Sequence, residues 1–166
     1  MTFKEFFYRK YILENTSLDV DKRLEYSKQS FGMSQFANNK IVIAGGFRDG
    51  TGSADVGEVR LKYFVYDHTQ QGPDGNAIEV GSVVLNVDMN DPSKIMGLVN
   101  IDIKKKFKGQ GYGRYIIDSI KSTILGPINI YDVKKGAVGF WDKMGATPNV
   151  SGRKTARRPK DWTLSP

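Results

Sequence analysis

Apolar residues recur along the chain with two different spacings, and the order in which the spacings appear outlines a fold. Between residues 3 and 13, Phe3, Phe6, Phe7, Tyr11 and Ile12 fall near one helical face, with Lys4, Lys10 and Glu14 elsewhere, which predicts a short amphipathic helix. A second helix is expected over 21–30, and the small and polar residues 30–39 suit a loop near an acceptor entrance. The spacing then drops to two. Ile41-Val42-Ile43-Ala44 reads as a strand ended by Gly45-Gly46, and residues 46–57 read as a polar loop. Val59, Leu61, Tyr63 and Val65 alternate along the next strand. Gly72-Pro73-Asp74-Gly75 is a turn signal, after which Ala77 to Val87 is extended again and predicts an antiparallel pair. The turn Asn90-Asp91-Pro92-Ser93 leads into a further strand, Ile95 to Ile103.

Beyond Gly109 the helical spacing returns. Ile116, Ile117, Ile120 and Ile124 share one face, and Gly126-Pro127 ends that helix. Ile128 to Tyr131 is short enough for a central strand, whereas Ala137, Phe140, Trp141 and Met144 bury one side of a second helix that Gly145 stops. The succession of three strands, a glycine loop, a helix, a strand and a helix requires a mixed sheet with helices packed on it, an α/β (α+β) fold. Its 166 residues form one domain, 1–166. The last stretch, 152–166, is a basic segment: Arg153, Lys154, Arg157, Arg158 and Lys160 crowd into 152–160 without an acidic residue, and strand, loop and frayed tail all suit it.

Composition narrows the chemistry. With no cysteine, disulfides, thiolate nucleophiles and cysteine-ligated metal are excluded. His68 is the single histidine, and no G-x-S-x-G elbow exists to build a serine triad around it, so it reads as a turn or solvent-facing residue. No metal is expected. The N-terminus alternates charge with aromatics, giving neither a signal peptide nor a span, so the expectation is a cytoplasmic protein without membrane contact. The net charge of +7 attracts phosphorylated ligands, RNA or acidic protein surfaces without choosing among them.

The chemistry concentrates in the stretch from Ile101 to Ile117. Gly109, Gly111 and Gly113 clear side chains away from main-chain amides, so that a phosphate can approach N–H groups closely. A helix starting near Gly111 or Tyr112 would add its unpaired N–H groups and the positive end of its dipole, and Lys108 and Arg114 would add charge. A pyrophosphate is the ligand such a turn suits. It is not a Walker A loop, which needs a four-residue spacer and a final Gly-Lys-Ser/Thr, and as a dinucleotide fingerprint it carries Arg114 where the last glycine belongs. A tight turn with a solvated lysine face is the plain structural alternative.

Lys108-Gly109-Gln110-Gly111-Tyr112-Gly113, preceded by a strand ending at Ile103, together with Ala137-Val138-Gly139-Phe140-Trp141-Asp142-Lys143-Met144-Gly145-Ala146, resembles motifs A and B of the GCN5-related N-acetyltransferase (GNAT) superfamily, over about residues 59 to 146. The resemblance implies a GNAT-like, mostly antiparallel central sheet flanked by helices. It implies acetyl-CoA as acyl donor, with the pyrophosphate on Phe107, Lys108, Gly109, Gln110, Gly111, Tyr112, Gly113 and Arg114. It implies that the pantetheine arm pairs with the main chain of Ile101 to Ile103, beside a cleft where the next strand splays away, and that Phe140 and Trp141 pack near the thiol. Three positions depart from the pattern. Lys108 stands for the usual glutamine or arginine, Trp141 for the tyrosine that protonates the departing thiolate, and Lys134 for a frequent asparagine.

Amine acetylation needs a neutral amine, an outlet for its proton and stabilisation of the developing oxyanion. Asp102, Glu79 and Asp132 are the candidate proton acceptors, Asp102 foremost. Tyr131 and Tyr112 are the nearest phenols, and Tyr131, at the end of the strand across the cleft, is the candidate acid replacing the motif B tyrosine. The expected activity is therefore transfer of an acetyl group to a primary amine, on an acidic protein surface or an RNA-linked substrate such as a charged tRNA, with small amines also open and a homodimer allowed by the resemblance. A catalytically weak acyl-CoA-binding regulatory protein and a nucleic-acid-binding module are the competing readings.

Overall fold

The computed structural model describes residues 35–48, 56–73, 75–91, 93–149 and 161–166. The helices expected over 3–13 and 21–30 and the basic cluster at 153–160 lie outside the described residues, as does the expected loop 30–39 before residue 35.

Eight strands form one sheet: β1 Gln35–Ala37, β2 Ile41–Arg48, β3 Glu58–Gln71, β4 Ala77–Asp88, β5 Ile95–Ile103, β6 Ile128–Ile130, β7 Thr147–Pro148 and β8 Trp162–Leu164. Their order across the sheet is β1-β2-β3-β4-β5-β6-β8-β7. Every neighbouring pair is antiparallel except β5 and β6, which run parallel and are joined through helix α1, Tyr112–Lys121. A second helix, α2, Val138–Lys143, follows a 3₁₀ turn at Lys135–Ala137. The architecture is mixed α+β with a mostly antiparallel sheet and two described helices.

Alternation decides the two sheet faces. Val59, Leu61, Tyr63 and Val65 of β3 and Val83, Leu85 and Val87 of β4 point to one face, where Ile116, Ile117 and Ile120 of α1 close over them. Trp141 of α2 joins the same core, as do Trp162 and Leu164 of β8. Each of these side chains is buried, and fully burying one aliphatic residue contributes about 1.5–3 kcal/mol.

Several boundaries differ from the sequence reading. Gln35–Ala37, inside the expected loop 30–39, are strand β1, because they pair with β2, and α1 ends at Lys121, before Ile124 and Gly126-Pro127. Gly45 and Gly46 do not end β2; they take positive φ of 129° and 101° and carry the strand through a register shift to Arg48, a bulge that only glycine enters without strain. His68 lies within β3 rather than in a turn, because β3 runs on to Gln71 beside β2; the His68 N–H donates to the Lys40 carbonyl, and its exposed ring sets Nε2 2.9 Å from the Asn38 carbonyl oxygen. Trp162–Leu164, part of the segment left without an assigned element, is a strand inserted between β6 and β7 and held there by two buried apolar side chains.

Candidate functional site

The glycine-rich turn is clamped at both ends by aromatics that enter the core. Phe107 closes a 3₁₀ turn at Lys105–Phe107 and Tyr112 opens α1; both are buried, and their rings meet edge to face at 5.7 Å. The residues between them are exposed. Gly109 and Gly111 have φ of 79° and 83°, a conformation that costs an L side chain about 1–2 kcal/mol. Gly111 is the N-cap of α1 and supplies no side-chain cap. The first intrahelical bonds run from the N–H of Arg114 and Tyr115 to the Gly111 carbonyl. The N–H groups of Gly109, Gln110, Gly111, Tyr112 and Gly113 therefore have no acceptor among the described residues.

Charge surrounds this turn on the solvent side. Lys105, Lys106 and Lys108 are exposed and form no ion pair among the described residues, whereas Lys104 is tied to Glu79 at 2.8 Å. Lys106 Nζ lies 4.8 Å from the centre of the Phe107 ring. Arg114 faces solvent, with its Nε 3.7 Å from Asp118. Gln110 turns back to donate to the Lys106 carbonyl at 2.9 Å, so its side chain braces the loop while its amide stays outward.

Tyr112 plays a part that the sequence did not disclose. Its phenol donates at 2.6 Å to Asp67, a carboxylate without exposed surface at the far end of β3. Asp67 also pairs with Lys40 at 2.9 Å and accepts from the Thr69 N–H at 2.8 Å, the Thr69 hydroxyl at 2.6 Å and Gln70 Nε2 at 3.0 Å. Burial by itself would raise the Asp67 pKa; the bonds from Thr69, Tyr112 and Lys40 outweigh it and hold the carboxyl well below the usual range. The same burial, with the carboxylate alongside, pushes the Tyr112 phenol up to about 12. As a phenol Tyr112 is an anchor and no acid for turnover; only its main chain faces the turn.

Next to this turn, one edge of β5 is largely unpaired among the described residues. β6 pairs with Gly97 and Leu98 alone, and the Tyr131 N–H adds a 3.0 Å bond to the Leu98 carbonyl. Two register shifts against β4 leave Met96 and Val99 as extra residues of β5, one on each side of that short pairing. The pairing with β6 stops at Leu98, next to the bulge at Val99, and bulges sharpen strand twist. Farther along, the Lys104 N–H donates to Val80, and the Asp102 carbonyl leans so closely on β4 that a Cβ on Gly81 would fall on it. Alternation then aims the N–H and C=O of Ile101 and Ile103 at the opposite edge, which is unpaired among the described residues.

The remaining predicted residues distribute unevenly. Phe140 comes against α1 where a Cβ on Gly113 would stand 3.0 Å from Phe140 Cε2, so the glycine turn and α2 meet there. Trp141 is buried in the core and packs edge to face on Phe140 at 4.9 Å. Tyr131 lays its ring across Gly97, with Cε2 2.6 Å and the hydroxyl oxygen 3.2 Å from where a Cβ would be. Asp102 is exposed on the same face of the sheet as Tyr131 but five residues along β5, roughly 15 Å away, so the structure does not bring the two together. Asp132 is exposed in a left-handed backbone conformation, with its N–H bonded to the Asp161 carboxylate, and Glu79 is engaged by Lys104.

Sequence reasoning passed over Asp67, Asn86 and Glu58. Asn86 is 2% exposed between the apolar Leu85 and Val87, and its alternation to the face opposite them is the signal that marks it. Among the described residues no group of three or more His, Asp or Glu side chains is placed to hold a metal ion, and no helix is long and apolar enough to cross a membrane. No family model, no curated protein and no solved structure matches the chain.

Proposed function

We propose that this chain is an acetyl-CoA-dependent N-acetyltransferase of GNAT-like arrangement, acting on a primary amine. One observation carries the reading: the N–H groups of Gly109 to Gly113, without acceptors among the described residues, lie one 3₁₀ turn beyond the main-chain edge of Ile101 and Ile103, which is likewise unpaired among the described residues. The two halves are a helix N-terminus with lysines around it and a strand edge that reaches to the short pairing with β6, with the 3₁₀ turn between them. A diphosphate suits the first half and a peptide-like arm the second. The antiparallel meander followed by one parallel crossover through α1 supports the same arrangement.

The coenzyme supplies an acyl thioester carbonyl when bound. Gly109 to Gly113 would hold its pyrophosphate, with Lys105, Lys106 and Lys108 neutralising charge, and Ile101 and Ile103 would align the pantetheine amides. The far end of that edge is the bulge at Val99, and Tyr131 lays its ring over Gly97, two residues farther along β5. Tyr131 therefore supplies the phenolic proton for the departing sulfur, taking over from the motif position that Trp141 fills inside the core. Asp102 lies toward the phosphate end of the arm, far from Tyr131, and is left without a part in proton transfer.

The decisive experiment is native mass spectrometry and thermal unfolding with acetyl-CoA, followed by thiol release across a panel of primary amines. Binding with thiol release supports the transferase. Binding without release across the panel favours the regulatory acyl-CoA-binding protein, and tight RNA binding indifferent to acetyl-CoA favours a nucleic-acid module.

A further inference from the structure

A row of register partners crosses the sheet on the face opposite the α1 core. Arg60 pairs with Asn86, Asn86 with Gly97, Gly97 with Asn129, and Asn129 with Thr163. Register partners share a face, and every member is polar or glycine. The gap at Gly97 is filled by the Tyr131 ring, which places the phenol in the middle of the row. Beside it, Asn86 accepts from Arg60 Nε at 3.2 Å and donates through Nδ2 to the Glu58 carboxylate at 3.1 Å. Asn86 is nearly enclosed, so its amide is not free to rotate and fixes the orientation of Glu58.

We infer that Glu58, oriented by Asn86, is the group that takes the proton from the acceptor amine, working across the polar row from Tyr131. This rests on the acetyltransferase reading and replaces Asp102 in that role. The geometric reason is proximity. Partners on adjacent strands hold Cβ atoms about 4.5–5.5 Å apart, so a carboxylate bonded to Asn86 and a phenol over Gly97 lie within roughly 10 Å, room for an amine nitrogen and one water. Asp102 has no such relation to the phenol.

The ammonium passes one proton to Glu58, directly or through a water, and the freed lone pair forms the C–N bond. The C–S bond breaks with its electrons on sulfur, which takes the phenolic proton of Tyr131. The second proton of the acylated nitrogen returns through solvent to the phenolate, leaving amide, free thiol and a protonated Glu58 that releases its proton to water.

Glu58→Gln keeps the shape and the oxygen that Asn86 reaches, so it tests proton transfer with little change to the fold. Among the described residues, the groups around Glu58 include Arg60 on its own strand, Asn86 and Asp88 on β4, and Lys94, 3.9 Å from Asp88. The probe is acetyl-CoA in water without added amine, read as thiol release against pH, since the same carboxylate would activate water. The expected result is a wild-type rate with an acid limb, a loss on the order of 100-fold in Glu58→Gln with that limb flattened, and unchanged acetyl-CoA binding in both. Asp102→Asn should retain limb and rate. An unchanged profile in Glu58→Gln, or no thiol release by the wild type at any pH despite acetyl-CoA binding, overturns the role of Glu58. Absence of acetyl-CoA binding by the wild type overturns the acetyltransferase reading itself.

Discussion

The Tyr112 hydroxyl donates a 2.6 Å hydrogen bond to the Asp67 carboxylate across 45 positions of chain, tying the first residue of α1 to β3. The bond determines where α1 begins. With Phe107 and Tyr112 both pulled inward, the residues between them have no route but the surface, and their amides are presented together. A buried hydrogen bond thus shapes a solvent-facing turn, although neither of its side chains faces that turn.

The alkaline side of the stability profile should report this bond. The Tyr112 pKa is raised from 10.0 to about 12, so its contribution is fully present below pH 10 and lost as pH rises toward 12. A two-unit rise corresponds to roughly 2–3 kcal/mol. Asp67 has the opposite sign. Its folded-state pKa is depressed, so its contribution is present above the ordinary carboxylate range and falls away in acid. Urea unfolding from pH 7 to 12 should show a smaller alkaline loss in Tyr112→Phe than in the wild type, the remainder coming from Tyr66, whose phenol burial also raises, and the neutral plateau of the variant is already lower by about 1.5–3 kcal/mol. An alkaline limb that persists unchanged in Tyr112→Phe would assign it to another group.

Gly111→Ala separates conformational cost from ligand cost. A Cβ there has open space, its nearest neighbour being Tyr115 Cε2 at 4.0 Å, so the penalty is the left-handed conformation alone, about 1–2 kcal/mol. That predicts a fall in Tm of roughly 2–8 °C for a chain of this size. Acetyl-CoA affinity should fall on the order of tenfold or more, because the methyl group and any relaxation of the turn disturb several N–H groups at once. Isothermal titration that finds the lower Tm with unaltered affinity removes the turn from phosphate binding.

The strands of the meander and both described helices were legible because their apolar residues repeat at two or at three-to-four, and the turns between them carry Gly, Pro, Asn and Asp. What escaped notice was set by contacts distant in sequence. The Asp67–Tyr112 bond, the Asn86–Glu58 contact and the insertion of Trp162–Leu164 between β6 and β7 all depend on strand register, which hydrophobic spacing alone does not specify. The bulges at Met96 and Val99 were hidden for the same reason, since each is defined only by the partner residue that it lacks. The glycine turn was readable as a turn; that its flanking aromatics are anchors required their partners to be seen.

Gly81→Ala and Gly126→Ala make a matched pair for the closeness of β4 and β5. A Cβ on Gly81 meets the main chain of Asp102 and comes 3.1 Å from Ile103 Cα, atoms that yield only if β5 moves. Gly126 has open space and no positive φ. Gly126→Ala should be neutral or stabilise slightly by stiffening the unfolded chain, whereas Gly81→Ala should cost about 1–3 kcal/mol and disturb the free edge of Ile101 and Ile103. Denaturant midpoints of the two variants settle the contrast; equal stabilities would mean that β5 shifts freely, and the edge would then be no rigid template.

Gly97→Ala and Tyr131→Phe test the placement of the phenol from two directions. Tyr131→Phe removes the hydroxyl and leaves the ring on Gly97, so acetyl-CoA should bind as before while thiol release slows by about 100-fold. Gly97→Ala keeps the hydroxyl but puts a methyl group 2.6 Å from Cε2, which forces the ring off the β5–β6 junction. Its rate should drop by a similar factor, with roughly 1–3 kcal/mol of stability lost to the forced repacking. The double variant then discriminates. If position is what matters, Gly97→Ala adds little to Tyr131→Phe, because a displaced ring without its hydroxyl has nothing further to lose in catalysis. Rates that multiply in the double variant would mean that Gly97 acts on the acyl carbonyl by its own main chain and that the ring is only a cover.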